Sequence, residues 1–126
     1  MKPMRSLLKS FQYAYEGMRY CLITQRNMRI HFFFVSLVTL GGIVFKIQLV
    51  EWIALFVTFS LVITSEMFNT AIEKTVDLVT EEWSEKAKIA KDVAAGAVLI
   101  NAVVAVLVGF LVFFHRIVEV LEGWIF

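Results

Sequence analysis

Val93-Ala-Ala-Gly-Ala-Val-Leu-Ile-Asn-Ala-Val-Val-Ala-Val-Leu-Val-Gly-Phe-Leu-Val-Phe-Phe114 carries no formal charge, and Asn101 is its one strongly polar side chain. Periodicity cannot separate a buried helix from a buried strand in such a run, but length can. A spanning helix needs about 20 apolar residues and a spanning strand only about 10. Helices and closed barrels alone satisfy their backbone groups in lipid, and this run is too long and continuous for a barrel strand. It predicts a transmembrane helix over about 88–115. Working back along the chain, Trp52 to Thr64 is wholly apolar or hydroxylic and continues as Ser-Glu-Met-Phe-Asn-Thr-Ala-Ile to Ile72, predicting a second span over about 52–79. Earlier still, Ile30 to Phe45 lacks a formal charge and extends to Val50 if Lys46 snorkels, predicting a first span over about 29–49.

Composition agrees with lipid as the main solvent. Of 126 residues 60% are hydrophobic and 18% charged, with mean hydropathy +0.78, against roughly half apolar and a quarter charged in soluble domains. A body this small has too much surface to hide that much apolar area from water. The expected fold is an all-α membrane protein forming one domain over 1–126. Formal charge is +1, which gives no global electrostatic basis for binding nucleic acid. The single cysteine, Cys21, excludes an internal disulfide and a multi-cysteine zinc site. Met1 to Lys9 has no apolar core of the signal-peptide kind.

The segment over about 4–24 reads as an amphipathic surface helix. Met4, Leu7, Leu8, Phe11, Tyr15, Met18 and Leu22 share one face at helical spacing, with Arg5, Lys9, Gln12, Tyr13, Glu16 and Arg19 opposite. Such a helix lies in the membrane interface with its basic groups near anionic headgroups; the plainer reading is an anchor. Lys2, Arg5, Lys9, Arg19, Arg26 and Arg29 precede the first span, and Lys74, Lys86, Lys88 and Lys91 follow the second. The first connection has only Lys46 and the tail only Arg116. Basic residues stay on the cytoplasmic side, so the N-terminus is expected inside and the C-terminus outside.

The second span holds the residues that need a chemical explanation. Glu66, Asn69, Glu73 and Asp77 project within about 80° of one another on a helix, as a polar ladder from the membrane towards the cytoplasmic surface. An ionisable residue costs about 2.5–3.5 kcal/mol on insertion scales, which makes it a functional hypothesis by default. Stacked carboxylates without a lysine on their face are unfavourable unless something positive binds them. Magnesium is the simplest candidate, since it takes one or two carboxylates and completes its shell with water and phosphates. The structural alternatives are a solvated Asp77 and a protonated Glu66 hydrogen-bonded between helices. At the start of the third span, Lys91 could meet phosphate oxygens and Asp92 a ribose hydroxyl. Equally, Lys91 could be an interfacial anchor and Asp92 a helix-terminal charge. Glu81, Glu82, Glu85, Lys86 and Lys88 read as a solvated turn, with Glu82 and Lys86 spaced for a helical pair. The common phosphate loops and the serine-hydrolase elbow are missing. His31 and His115 lie at opposite ends of the chain, which argues against a histidine metal pair.

Glu66-Met-Phe-Asn69-Thr-Ala-Ile-Glu73-Lys-Thr-Val-Asp77, followed by Lys91-Asp92-Val-Ala-Ala-Gly-Ala-Val-Leu-Ile, closely resembles the small integral-membrane diacylglycerol kinases of bacteria. The resemblance covers nearly the whole chain, including Gly17 and Gln25-Arg26-Asn27. Arg26-Asn27-Met-Arg29-Ile-His31 and Ala-Ala-Gly-Ala-Val are more similar to the Gram-positive branch, which resembles undecaprenol kinases. The resemblance implies ATP-dependent phosphorylation of a lipid alcohol at the bacterial cell membrane, by a homotrimer with composite sites and with Mg2+. Carried over by position, Glu66 is the general base and Asn69 helps to place it. Glu73 binds the metal, Lys91 the transferred phosphate and Asp92 the nucleotide, with Tyr13 and Asp77 as further nucleotide contacts. Glu82-Trp83-Ser84 aligns with a nucleotide-contacting loop. One departure stands out: Gln25 occupies the position of a second metal-binding glutamate, so it offers a carbonyl oxygen but no charge.

The preferred reading is a kinase for undecaprenol, with diacylglycerol as the alternative substrate. A small cation channel or transport subunit is the rival from another class, since intramembrane carboxylates also line ion paths. Its weakness is that Trp52 to Thr64 has no charged group to continue a pathway. A structural adaptor would leave the ladder unexplained. Small residues along the third span, from Ala94 to Gly109, would permit close packing in an oligomer.

Overall fold

The computed structural model describes residues 2–125, with side chains described for residues 6–123. The side chains of Lys2, Met4 and Arg5, which enter the charge and amphipathic readings, lie outside that range. The described residues form four helices: α1 (Lys2–Thr24), α2 (Arg26–Val44), α3 (Leu49–Val79) and α4 (Glu85–Ile125). The last three are long and apolar enough to cross a membrane. At 1.5 Å per residue α2 is about 28 Å long, close to the hydrocarbon thickness of about 30 Å, while α3 and α4 reach about 46 and 60 Å. Their excess length carries polar turns beyond the apolar layer.

Each connection is decided by local chemistry. Gln25 alone separates α1 from α2, in an extended conformation that ends one helix and caps the next; its N–H donates to Cys21 O at 2.8 Å. α2 stops at Val44 because Lys46 takes the left-handed conformation, φ 50°. The N–H of Lys46 then reaches Ile43 O at 3.2 Å and that of Ile47 reaches Gly42 O at 3.1 Å, the paired bonds of a Schellman stop. Lys46 therefore sits in the turn and not in the extended first span. After α3, the Thr80 hydroxyl accepts from the Glu82 N–H at 3.2 Å, and the Lys88 N–H donates to Ser84 O at 2.9 Å. Because α4 starts at Glu85, Glu82 belongs to the loop and the expected helical pair with Lys86 does not form; Lys88 and Asp92 pair instead, at 2.5 Å.

α3 and α4 make an antiparallel hairpin fastened along its length. At one end Arg116 makes two 2.8 Å bonds to the Glu51 carboxylate; at the other Lys91 Nζ lies 2.6 Å from Asp77 Oδ1. Between them Asn101 donates to Leu61 O at 3.3 Å, which satisfies the polar interruption in α4. The packed core lies towards the Glu51–Arg116 end, around Ile47, Leu55 and Val112, with Trp52, Phe59 and Phe113 against it. Gly42 lets Trp52 close on α2, since a Cβ there would stand 2.7 Å from the indole ring. Most of the remaining apolar side chains point outward, as lipid solvation of a small bundle requires.

Candidate functional site

The hairpin places the polar ladder at the end away from the packed core, and burial falls along it. Glu66 is 1% exposed and Asn69 7%, Glu73 is half-buried and Asp77 exposed. Asn69 Nδ2 donates to Glu73 Oε1 at 3.2 Å, coupling two rungs. The next rung, Asp77, crosses to α4 through its ion pair with Lys91.

Two cavities flank this ladder. A small one of about 220 Å³ lies between α2, α3 and α4, lined by Asn27, His31, Glu66 and Asn69 on its polar side and by Val98 and Ala102 among its apolar residues. Three buried polar atoms have no hydrogen-bond partner among the described residues: His31 Nε2, Glu66 Oε2 and Asn69 Oδ1. All three residues line this cavity. Buried polar groups are normally satisfied, so their convergence makes this cavity a candidate binding site. Beside it, an apolar groove of about 380 Å³ runs between the same helices and shares Ile30, His31 and Ala102 with the small cavity. The second polar cavity, about 680 Å³ and open, lies around the α3–α4 loop, where Asp77, Trp83, Lys88, Lys91 and Asp92 line it. The small polar cavity is thus flanked by an apolar groove and accompanied on the same hairpin by a charged open basin.

The sequence-derived residues are only partly brought together. Glu66 and Asn69 share the small cavity, with Glu73 joined to Asn69. Asp77, Lys91 and Asp92 share the basin with the Glu82-Trp83-Ser84 turn. Tyr13 is 65% exposed on α1, and Gln25 donates to Thr24 Oγ1 at 3.4 Å; neither lines a polar cavity. Among the described residues no three acids, histidines or cysteines converge to hold a metal ion. The Glu73 carboxylate, half-buried and bonded to Asn69, is a hard oxygen donor of the kind magnesium takes from protein in ones and twos. Sequence reasoning gave His31 no role at the site: it entered only as part of the Arg26–His31 resemblance and as half of an unlikely histidine pair. The Glu51–Arg116 bridge was missed. The only local signal for His31 was its polarity inside an otherwise apolar run.

The family model for prokaryotic diacylglycerol kinase matches residues 12–113. The chain belongs to the prokaryotic diacylglycerol kinase family. It is 46% identical over 105 residues to a diacylglycerol kinase of Synechocystis, covering 82% of this chain and 60% of that protein. It is 37% identical over 109 residues to the undecaprenol kinase of Bacillus subtilis, covering 86% of this chain and 89% of that one. The Escherichia coli diacylglycerol kinase is 30% identical over 101 residues, 80% of this chain and 83% of its own. All three named relatives are lipid kinases. Every candidate site residue from Tyr13 to Asp92 falls inside the matched segment of this lipid-kinase family member, whereas Arg116 falls beyond it.

Proposed function

We propose that the protein is an ATP-dependent kinase of a membrane lipid alcohol, with undecaprenol as its substrate and undecaprenyl phosphate as its product. The observation that carries this reading is the pairing of a buried carboxylate oxygen without a partner, at Glu66, with a charged open basin containing Lys91 and Asp92 on the same hairpin. A lipid hydroxyl arrives from the apolar phase and a nucleotide from water, and the hairpin offers each its own environment. Similarity to the undecaprenol kinase of Bacillus subtilis over 89% of that protein supports undecaprenol; diacylglycerol is the alternative, supported by the Synechocystis relative.

The chemistry is positioning and charge neutralisation, with no covalent enzyme intermediate. Glu66 takes the proton as the lipid oxygen attacks the terminal phosphorus in line with the leaving oxygen. Asn69, bonded to Glu73, fixes the spacing between base and metal ligand. Lys91 leaves Asp77 to meet the transferred phosphate, and Asp92, Asp77 and Tyr13 hold the nucleotide. Glu73 would hold Mg2+, with the Gln25 carbonyl as a weaker ligand; the ion supplies neutralisation of phosphate charge when bound.

The assembly belongs to the same proposal. Tyr13 and Gln25 stand apart from both polar cavities within one chain, which supports a homotrimer with sites completed between protomers. Leu7, Leu8, Phe11 and Tyr15 are 57–66% exposed, which supports α1 lying as an amphipathic helix in the interface, its apolar face covered by lipid. The lysines and arginines gathered in α1 and the first turns of α2, and on either side of the α3–α4 loop, support a multi-pass protein of the bacterial cell membrane with its N-terminus in the cytoplasm and C-terminus outside. The test is Glu66→Gln: turnover is lost while nucleotide affinity is retained. Retained turnover removes Glu66 from the role of base.

A further inference from the structure

We infer that His31 is a substrate-positioning residue, whose Nε2 binds the oxygen of the lipid hydroxyl, and that the cavity it shares with Glu66 selects an alcohol with no other polar group near its hydroxyl. The inference rests on the lipid-kinase reading and deepens it.

Three unpartnered buried atoms define what the cavity can accept: His31 Nε2, Glu66 Oε2 and Asn69 Oδ1. A carboxylate oxygen and an amide oxygen only accept, whereas an imidazole nitrogen donates in its protonated tautomer. Asn69 turns its amide nitrogen to Glu73, donating one of its two N–H groups there. The three unpartnered buried atoms therefore supply one donor and two acceptors, while Asn27, which also lines the cavity, is exposed. A hydroxyl matches that set, since it donates one proton and accepts another bond. Its proton points to Glu66, with Asn69 Oδ1 beside it, and its oxygen accepts from His31. The proton's path to Glu66 is thereby fixed before the phosphate arrives.

The same inventory separates substrate classes. A diacylglycerol brings two ester carbonyls close to its hydroxyl, each an acceptor that needs a donor or water. No further unpartnered buried side-chain donor exists among the described residues; the one other polar lining residue, Asn27, is exposed, and the rest of the wall is Ile30, Ala95, Val98, Leu99 and Ala102. Burying acceptors against that wall is unfavourable. A polyprenol carries its hydroxyl on hydrocarbon alone, and leaves nothing unsatisfied. His31 also lines the apolar groove, so the hydrocarbon next to the hydroxyl has an apolar path away from the cavity. The cavity, about 220 Å³, is smaller than the roughly 300–1,000 Å³ of a complete ligand pocket, as befits a site for one end of a long molecule.

The experiment compares wild type, His31→Ala and His31→Gln in mixed micelles, with undecaprenol and diacylglycerol in parallel and with ATP affinity measured separately. Wild type prefers undecaprenol. His31→Ala lowers kcat/KM for undecaprenol about tenfold, the size of one buried hydrogen bond, mainly through KM, and narrows the preference over diacylglycerol. ATP affinity is unchanged. His31→Gln, which keeps an N–H donor, recovers most of the loss. Unchanged undecaprenol kinetics in His31→Ala would overturn the inference, as would parallel loss of lipid and ATP binding, or a wild-type preference for diacylglycerol. Absence of transfer to any lipid by folded wild type is a separate failure, that of the kinase reading itself.

Discussion

Removing the Arg116 guanidinium is expected to loosen the hairpin at the end remote from the ladder. Arg116 meets both oxygens of Glu51 at 2.8 Å, with 22% and 24% of the two side chains exposed. Breaking a fully buried pair costs about 3–5 kcal/mol, whereas an exposed pair contributes about 0–1. Bidentate geometry and exposure of only about a quarter put Arg116→Ala near 2 kcal/mol. Glu51→Ala costs more, because Glu51 also accepts the Gln48 N–H at 2.7 Å and caps the start of α3. The assay is reversible unfolding in detergent micelles on both single variants and the double variant. A coupling energy of about 1–2 kcal/mol is expected from the cycle. Additive effects within about 0.5 kcal/mol would refute the claim that the bridge ties α3 to α4.

Three other outcomes follow from particular contacts. Gly42→Ala puts a Cβ 2.7 Å from the Trp52 ring and should destabilise by about 1–3 kcal/mol, while Gly17→Ala, with nothing within 4 Å of the added carbon, should be neutral or stabilising; thermal unfolding of the pair checks the contrast. Lys46→Gly should stabilise by up to about 1 kcal/mol, because φ 50° is strained for a side chain; unfolding midpoints measure it, and a loss of stability would contradict the Schellman stop. Gln25→Glu should raise apparent magnesium affinity by restoring a charged ligand, and equal kinetics in the two proteins would count against a metal role there.

The spanning helices were legible because length and charge are local properties. Val93–Phe114 sits inside α4, and the ladder spacing of Glu66, Asn69, Glu73 and Asp77 survives as graded burial along α3. Helix ends were less legible. α4 runs past 115 to Ile125, and there Arg116 finds a partner in Glu51 while His115 Nε2 lies 2.9 Å from Glu119 one turn on. α2 ends before Lys46 because a lysine adopts a conformation usually left to glycine. The Glu51–Arg116 bridge joins residues 65 apart, and no local pattern announces such a pair. His31 is the instructive case for the site. Its spacing said only that it lay in a span, and its meaning came from the tertiary closure that put an unsatisfied nitrogen in one cavity with Glu66 and Asn69.

The most direct test is phosphate transfer from radiolabelled ATP, with magnesium, by purified wild-type protein in micelles containing undecaprenol. The account predicts label on the prenol and none left on the protein. Label retained as a phosphoenzyme, or no labelled lipid from a folded oligomer even after Gln25→Glu, would contradict it.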